Sequence, residues 1–177
     1  MKAVQQVYIP KERVKRLRAE KALLAEAERR TRCKIRLEED DIVGIDGEAY
    51  GEFNARNVIQ AFGRGFEMEA ACKLCDENYY FNSIDLEQIF GSEKRILQVK
   101  ARIIGERGKT KRYIESVSMA KISVYGNTVS LIGTIEEMTE AKAAIDTIIE
   151  GGTHKLAYIR MEAAHRKNKE EMHRAGF

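Results

Sequence analysis

The chain has 177 residues, 44% of them hydrophobic and 33% charged, with a formal charge of +3 at pH 7. That balance supplies apolar material for one or two modest cores and argues against a disordered chain. Nowhere does an apolar run approach the roughly 18 residues of a bilayer-spanning helix, and the opening "MKAVQQVYIPKERVKR" has no apolar signal region, so the reading is of a cytoplasmic protein without membrane contact.

The small net charge conceals a segregation. From Lys11 to Arg36 there are eleven bases and four acids, and from Lys94 to Arg112 eight bases and one acid, whereas Leu37 to Glu93 holds fourteen acids and three bases. Blocks of this kind fit either a polyanionic partner for the basic segments or solvated faces neutralised by the acidic block. The three cysteines are odd in number and unsuited to a disulfide framework, which agrees with a reducing compartment.

In chain order, the alternating "AVQQVYI" predicts a strand, and a short helical piece leads to the turn "RAEK" (Arg18 to Lys21). "LLAEAERRT" predicts a helix. "CKIRL" and "VGIDG" predict two strands, and a longer helix carrying Ala55, Ile59 and Phe62 stops at Gly65. "GRG" (Gly63 to Gly65) ends this helix and so is no dinucleotide fingerprint. "CKLC" (Cys72 to Cys75) has zinc or redox spacing, but a structural zinc takes four ligands and this is one pair, so it reads as helix packing.

The stretch "DENYYFNSIDLEQIFG" (Asp76 to Gly91) holds Tyr79, Tyr80, Phe81 and Phe90 and a short helical "IDLEQIF", as a packed connector would. "RILQVKA" (Arg95 to Ala101) reads as an alternating strand, followed by a short helical piece and the turn "GERG" (Gly105 to Gly108). "TKRYIESV" predicts a helix with Ile114 and Val117 on one face. "KISVY" and "TVSLIG" predict strands joined through "YGN". A helix from Thr134 to about Glu150 follows, with Ile135, Met138, Ala141, Ala144 or Ile145 and Ile148 in one stripe, until Gly151 and Gly152 stop it. The tail carries all three histidines and predicts one more helix, Leu156 to about Ala175.

These elements repeat. At an offset of 87, Ala27 falls on Ile114, Ile35 on Ile122 and "CKIRL" on "AKISV". One extra residue around "EEDD" (Glu38 to Asp41) makes the offset 86, which lays "VGIDG" over "VSLIG", Ala55 over Ala141, Ile59 over Ile145, Phe62 over Ile148 and Gly65 over Gly151. Each copy runs strand, helix, helix, strand, strand, helix.

The turn "GERG" sits where positive charge is densest. A glycine at each end opens φ angles closed to other residues and lets the backbone approach a ligand closely. The second glycine stands at the start of a helix, whose unpaired N–H groups and positive dipole end suit phosphate oxygens, with Arg107, Lys109, Lys111 and Arg112 as cations around them. A plain helix-to-helix turn is the other reading. The surroundings favour the first: an apolar "II" before it, a basic helix after it, then strand, turn, strand and helix.

On these residues the sequence resembles the KH domain, whose GxxG loop clamps about four nucleotides of single-stranded nucleic acid. The resemblance implies an α+β fold of two tandem type I KH-like domains (β-α-α-β-β-α), each a three-stranded sheet packed by helices, plus a C-terminal helix. It divides the chain into a degenerate KH-like domain without GxxG (1–75), a packed connector (76–92), a KH domain with GxxG (93–152) and a helical extension (153–177). It also implies an RNA-binding site. Arg102, Gly105, Glu106, Arg107, Gly108, Lys109, Lys111 and Arg112 would meet the strand's backbone, while Ile103, Ile104, Ile122 and Val124 would form an apolar groove for the bases. In the first copy the aligned turn is "RAEK", without glycines and with Glu20 opposing a phosphate. That copy is therefore expected to be mainly structural or protein-contacting, the other reading being that its arginines touch phosphates through side chains alone.

With "YIPKER" opening the first copy, "FGSEKRILQVKARIIGERGKTKRYIE" opening the second and "GGTHKLAYIRMEAAHRK" near the end, the chain as a whole is similar to the Partner-of-Nob-One family of small-subunit ribosome biogenesis. The similarity covers nearly the full length. It implies binding of single-stranded RNA in the 3′ region of small-subunit (16S) rRNA and assistance to the processing endonuclease or contact with another pre-ribosomal protein. The chain lacks the long charged extension expected of a nucleolar member, which suggests the archaeal form. Glu106 stands where the family usually has a basic or small residue.

No Ser/His/Asp order, paired carboxylates or Walker loop stands out. The expectation is a protein that is not an enzyme, with no catalytic residues, metal, cofactor or small-molecule substrate. Tyr113 either stacks on a base or lies half-buried, and His154, His165 and His173 read as surface residues. The alternative function is an interaction scaffold docking through the first unit, with RNA contact secondary.

Overall fold

The computed structural model describes residues 5–38 and 41–176. Ala3 and Val4 of the expected first strand, and Glu39 and Asp40 of the inserted turn, lie outside the described residues. The chain forms two units, 1–81 and 82–177.

The first unit begins with β1 (Gln5–Tyr8), α1 (Lys11–Ala19) and α2 (Lys21–Thr31), followed by β2 (Lys34–Leu37), β3 (Ile42–Asp46) and α3 (Ala49–Gly63). A short α4 (Met68–Ala71) and a 3-10 turn over Cys72–Cys75 complete it. The sheet has the order β1-β3-β2, antiparallel throughout, with Val7 opposite Val43 and Ile35 opposite Ile45. Alternation turns Val7, Ile35, Val43 and Ile45 inward, where they are buried with Val14 and Leu17 of α1 and Val58, Ile59 and Phe62 of α3. The register is fixed because slipping one residue would expose that whole set.

In the second unit β4 (Tyr80–Asp85) and α5 (Glu93–Ile104) lead through a 3-10 turn at Glu106–Gly108 into α6 (Lys109–Ser118). Then come β5 (Lys121–Tyr125), β6 (Thr128–Gly133), α7 (Ile135–Ile149) and α8 (His154–Arg174). The sheet order is β4-β6-β5, with Ile122 paired to Leu131 across β5 and β6. Helix α7 starts at a capping box, in which the Thr134 hydroxyl accepts from the Glu137 N–H and the Glu137 carboxylate accepts from the Thr134 N–H.

Two expectations fail here for one reason. "RILQVKA" is helical and lies within α5: Ile96, Val99 and Ile103 follow helical spacing and are buried, while Leu97, which made the run look alternating, is 63% exposed. The strand is supplied instead by the segment read as a connector, where Ser83 Oγ lies 2.9 Å from Ser130 Oγ of β6. Its expected helical "IDLEQIF" forms the end of β4 and a single turn, closed by the Phe90 N–H donating to Leu86 O at 2.9 Å.

The internal repeat extends to individual atoms. Helices α3 and α7 are offset by 86 at both ends. Glu28 accepts from the Ile35 N–H and Glu115 from the Ile122 N–H, both at 2.9 Å. The Thr31 hydroxyl donates to Ala27 O and the Ser118 hydroxyl to Ile114 O. Arg32 and Met119, 87 apart, end α2 and α6 in the left-handed conformation, with φ of 57° and 65°. Arg13 donates to Phe62 O and Phe66 O at the end of α3; Arg102 donates to Ile148 O and Gly152 O at the end of α7.

Helix α8 is integral to the second core. Ala157 and Met161 are fully buried with Ile145 and Ile148 of α7, while Ile135, expected in that stripe, is 61% exposed. At the far end of the contact the Glu140 carboxylate lies 2.9 Å from both His165 Nδ1 and Asn168 Nδ2. The Met161→Ala variant is expected to lose about 2–5 kcal/mol of stability in urea denaturation, as buried aliphatic truncations do; a loss near zero would mean that α8 is not part of this core.

Candidate nucleic-acid interface

Three left-handed residues shape the turn between α5 and α6: Gly105 at φ +73°, Arg107 at +50° and Gly108 at +74°. The Gly105 N–H donates to Ala101 O at 2.8 Å, ending α5, and the Gly108 N–H donates to Gly105 O at 3.1 Å, closing the turn. The two glycines serve different ends. A Cβ on Gly105 would lie 2.6 Å from Thr110 Cβ and 2.7 Å from its backbone N, so this glycine lets the turn fold against the first turn of α6. A Cβ on Gly108 would approach only the Arg112 guanidinium, at 3.0 Å, and otherwise faces open space. No side chain caps the N-terminus of α6. Its orphan N–H groups and positive dipole end make it a place for an anion.

The cations divide into two sets. Arg107, Lys109 and Arg112 are exposed, and among the described residues they have no ion-pair partner. Two others expected to meet RNA are engaged elsewhere. The Arg102 guanidinium holds the C-terminal carbonyls of α7, satisfying acceptors that a helix end leaves unpaired. Lys111 Nζ lies 3.1 Å from Glu115, whose carboxylate also anchors the start of β5. Glu106 is exposed on the turn itself.

Two of the four residues expected to form an apolar groove belong to the core. Ile103 is fully buried and Ile122 is 3% exposed, because they are the inward residues of α5 and β5. Only Ile104, 36% exposed, and Val124, half-buried, present apolar surface to solvent among the four.

Sequence reasoning missed the brace beneath the turn. His154, Tyr158 and Glu162 recur every four residues along one face of α8. His154 Nε2 lies 2.9 Å from Arg102 O; the Tyr158 hydroxyl donates to Thr110 Oγ1 at 3.4 Å; and Glu162 accepts from the Tyr113 hydroxyl at 2.7 Å. The Tyr113 and Tyr158 rings meet edge-on at 4.5 Å. Glu162 holds the Tyr113 proton and pushes that phenol above its ordinary pKa. Of the three histidines only His173 has no partner among the described residues, so His154 and His165 belong to the packing rather than to a loose tail.

In the first unit the corresponding turn has only Glu20 between α1 and α2, at φ −104°, with no left-handed residue. Glu20 and Glu67 both pair with Arg16 and hold its guanidinium in the charged form. The "CKLC" segment forms the 3-10 turn packed on α3. Burial pushes the Cys72 thiol up to about 11 and the Cys75 thiol upward as well. Among the described residues no group of three or more His, Cys, Asp or Glu could hold a metal ion, and no helix is long and apolar enough to cross a membrane.

These glycine environments separate two substitutions. Gly108→Ala should cost about 1–2 kcal/mol, the price of a Cβ in the left-handed region, whereas Gly105→Ala should cost more because its Cβ also meets the Thr110 backbone. Urea melts of the two variants check this, and equal losses would remove the structural role given to Gly105.

A model of the second KH domain of Pno1 proteins, described as a eukaryotic-type KH domain (KH-domain type I), matches residues 80–166. The match starts at β4 and runs into α8. A KH domain-containing protein of Methanocaldococcus jannaschii is 35% identical over 174 residues, covering 95% of this chain and 77% of that protein. RNA-binding protein pno1 of Dictyostelium discoideum is 28% identical over 109 residues, covering 60% of this chain and 46% of that longer protein. Among solved structures, the complex of a/eIF2alpha, aDim2p and rRNA from Pyrococcus horikoshii contains a chain that is 33% identical, with a TM-score of 0.82 over 93% of this chain and 95% of the other. With a Pno1-type domain over the turn and an archaeal relative matched along 95% of this chain, the chain belongs to the Pno1-type KH-domain proteins, in their archaeal form.

Proposed function

We propose that the protein is a non-catalytic RNA-binding factor in maturation of the small ribosomal subunit, gripping single-stranded RNA in the 3′ region of the rRNA and assisting the endonuclease that processes it. The observation that carries this reading is the uncapped N-terminus of α6 entered through Gly108, with Arg107, Lys109 and Arg112 exposed around it. A sugar-phosphate strand meets backbone N–H groups there, at a glycine whose missing Cβ leaves room for close approach, and three mobile cations flank it. Ile104 and Val124 offer an apolar surface to unstacked bases. The Pyrococcus relative, solved with rRNA and a/eIF2alpha, and the Dictyostelium relative, named an RNA-binding protein, support assigning nucleic acid to this surface.

In this reading both units are KH-like and only the second grips RNA. The first keeps the order of elements and the frame hydrogen bonds, but its Arg18–Lys21 turn has no glycine and no left-handed residue. Nothing there brings backbone N–H groups to a phosphate. The grip itself needs no bond to be made or broken, which fits a factor that presents RNA to a separate nuclease.

The test is binding of a single-stranded oligonucleotide with the 3′-terminal rRNA sequence, measured against salt. Three phosphate contacts by Arg107, Lys109 and Arg112 contribute about −2 to the slope of log K against log salt, and each alanine substitution should reduce the magnitude by about 0.7. Gly108→Asp should remove most of the affinity while the fold persists, since only the movable Arg112 side chain stands near its Cβ. Unchanged affinity and slope in the triple alanine variant would overturn the reading.

A further inference from the structure

Helix α8 borders the glycine turn, and its charged residues divide by face. Toward α7 its cations meet acids: Arg160 Nη1 lies 3.3 Å from Glu150, and His165 Nδ1 lies 2.9 Å from Glu140. Lys167 pairs with Glu171 of its own helix at 3.8 Å. Lys155, Arg166 and Lys169 differ. They are exposed, and among the described residues none of the three has an ion-pair partner.

These three belong to one stripe. Lys155, Ile159, Glu162, Arg166 and Lys169 are spaced i, i+4, i+7, i+11, i+14, which is a single helix face. Its direction is fixed by contacts, because Glu162 accepts from the Tyr113 hydroxyl at 2.7 Å and the neighbouring Tyr158 reaches Thr110. The stripe therefore borders α6. There Lys109, Arg112 and Ser116, spaced i, i+3, i+7, are all exposed beside Tyr113.

The two stripes meet at Tyr113 and form one surface. It holds Lys109, Arg112, Lys155, Arg166 and Lys169 against Glu162, whose carboxylate already receives the Tyr113 proton, and Glu170 at its edge. Five bases against two acids select an anion. An acidic peptide shares that chemistry with nucleic acid, and two observations favour the second. Tyr113, 36% exposed, and Ile159, 50% exposed, stand among the cations, and such a mixture offers partners to unstacked bases and to phosphates at once. Lys109 and Arg112 also flank the glycine turn, so a strand leaving the turn on this side meets the surface without a break. From Lys155 to Lys169 it runs about 21 Å along the helix axis, which leaves room for nucleotides beyond those held at the turn.

We infer that this α6–α8 surface binds the single-stranded RNA flanking the gripped nucleotides, with Lys155, Arg166 and Lys169 on its phosphates and Tyr113 and Ile159 against its bases. The inference rests on the reading of the turn as an RNA grip and adds contacts outside it.

The experiment compares a single strand of about twelve nucleotides of 3′-terminal rRNA sequence with its pieces of about four, the length such a turn clamps. The Lys155→Ala/Arg166→Ala/Lys169→Ala variant should bind the long strand about tenfold more weakly, with the slope of log K against log salt smaller in magnitude by about 2, and bind the short pieces as the wild type does. Arg160→Ala/Lys167→Ala removes two paired cations from other faces of α8 and should change neither quantity. All three residues of the first variant are exposed, so its fold should persist; if its helicity falls, Arg166→Ala alone serves, with an expected change in slope of about 0.7. Unchanged affinity and slope on the long strand would overturn the inference while leaving the grip, tested through Arg107, Lys109 and Arg112, in place. Equal weakening by the triple and the double variant would overturn it too, because that marks net charge instead of contact. So would an oligoglutamate of the same length that binds the wild type as tightly as the RNA.

Discussion

The second unit depends on one arginine being used for structure instead of for RNA. The Arg102 guanidinium sits at the end of α7 and donates to Ile148 O and Gly152 O, acceptors that a helix C-terminus leaves unpaired and that concentrate its negative dipole end. Arg102 is also three residues before Gly105, so the group that ties α5 to α7 fixes the start of the glycine turn. From the other side, His154 reaches Arg102 O and Tyr158 reaches Thr110. The turn thus projects from a frame held at both of its ends. A backbone surface that must meet a phosphate needs such a frame, because each degree of freedom left in it would have to be frozen at binding.

Arg13 makes the same clamp in the first unit, on Phe62 O and Phe66 O, with its guanidinium 3.9 Å from the Phe62 ring centroid. Glu28 and Glu115 pin the start of β2 and β5 in the same way. The two copies therefore share the hydrogen bonds that close helix ends and begin strands, while the turn holds two glycines in the second and none in the first. These clamps satisfy backbone groups that burial would otherwise leave unpaired, at a cost to folding in either copy. The glycines of the turn have no such general role. Without them α1 and α2 still join, through Glu20 at φ −104° and ψ 76°.

Much of this was legible in the residues. The repeat was visible because inward positions such as Ile35 and Ile122, or Ile59 and Ile145, recur at fixed offsets wherever the elements have equal length. It misled where lengths differ. Helix α5 is 12 residues against 9 in α1, and seven residues separate β4 from α5 where two separate β1 from α1, which together displace the second unit's first strand away from the fixed offset and into the segment read as connector. Leu97 deepened the error by standing exposed between buried Ile96 and Val99, so that a helix looked like an alternating strand. The glycine turn was legible because left-handed φ angles restrict residue choice so strongly. Which cations were free was not, since Arg102 and Arg107 are alike in sequence and differ only in whether α7's carbonyls lie within reach. Ile103 and Ile104 show the same limit: adjacent, chemically identical, and placed by helical phase in the core and at the surface.

The roles of the two glycines bear on how such a surface can change at all. Gly105 is held by an internal contact, since the Thr110 backbone occupies the space a side chain would need, so its loss disturbs the packing of α5 against α6 whatever is bound. Gly108 is held by its φ of +74° and by the open space before it, so a residue tolerant of the left-handed region can take its place while the frame stays intact. The first unit, with no left-handed residue between α1 and α2, joins these helices through Glu20 alone, at φ −104° and ψ 76°. The two turns therefore differ in backbone path and not only in two side chains, and glycines placed at Arg18 and Lys21 alone would leave the path of the first as it is.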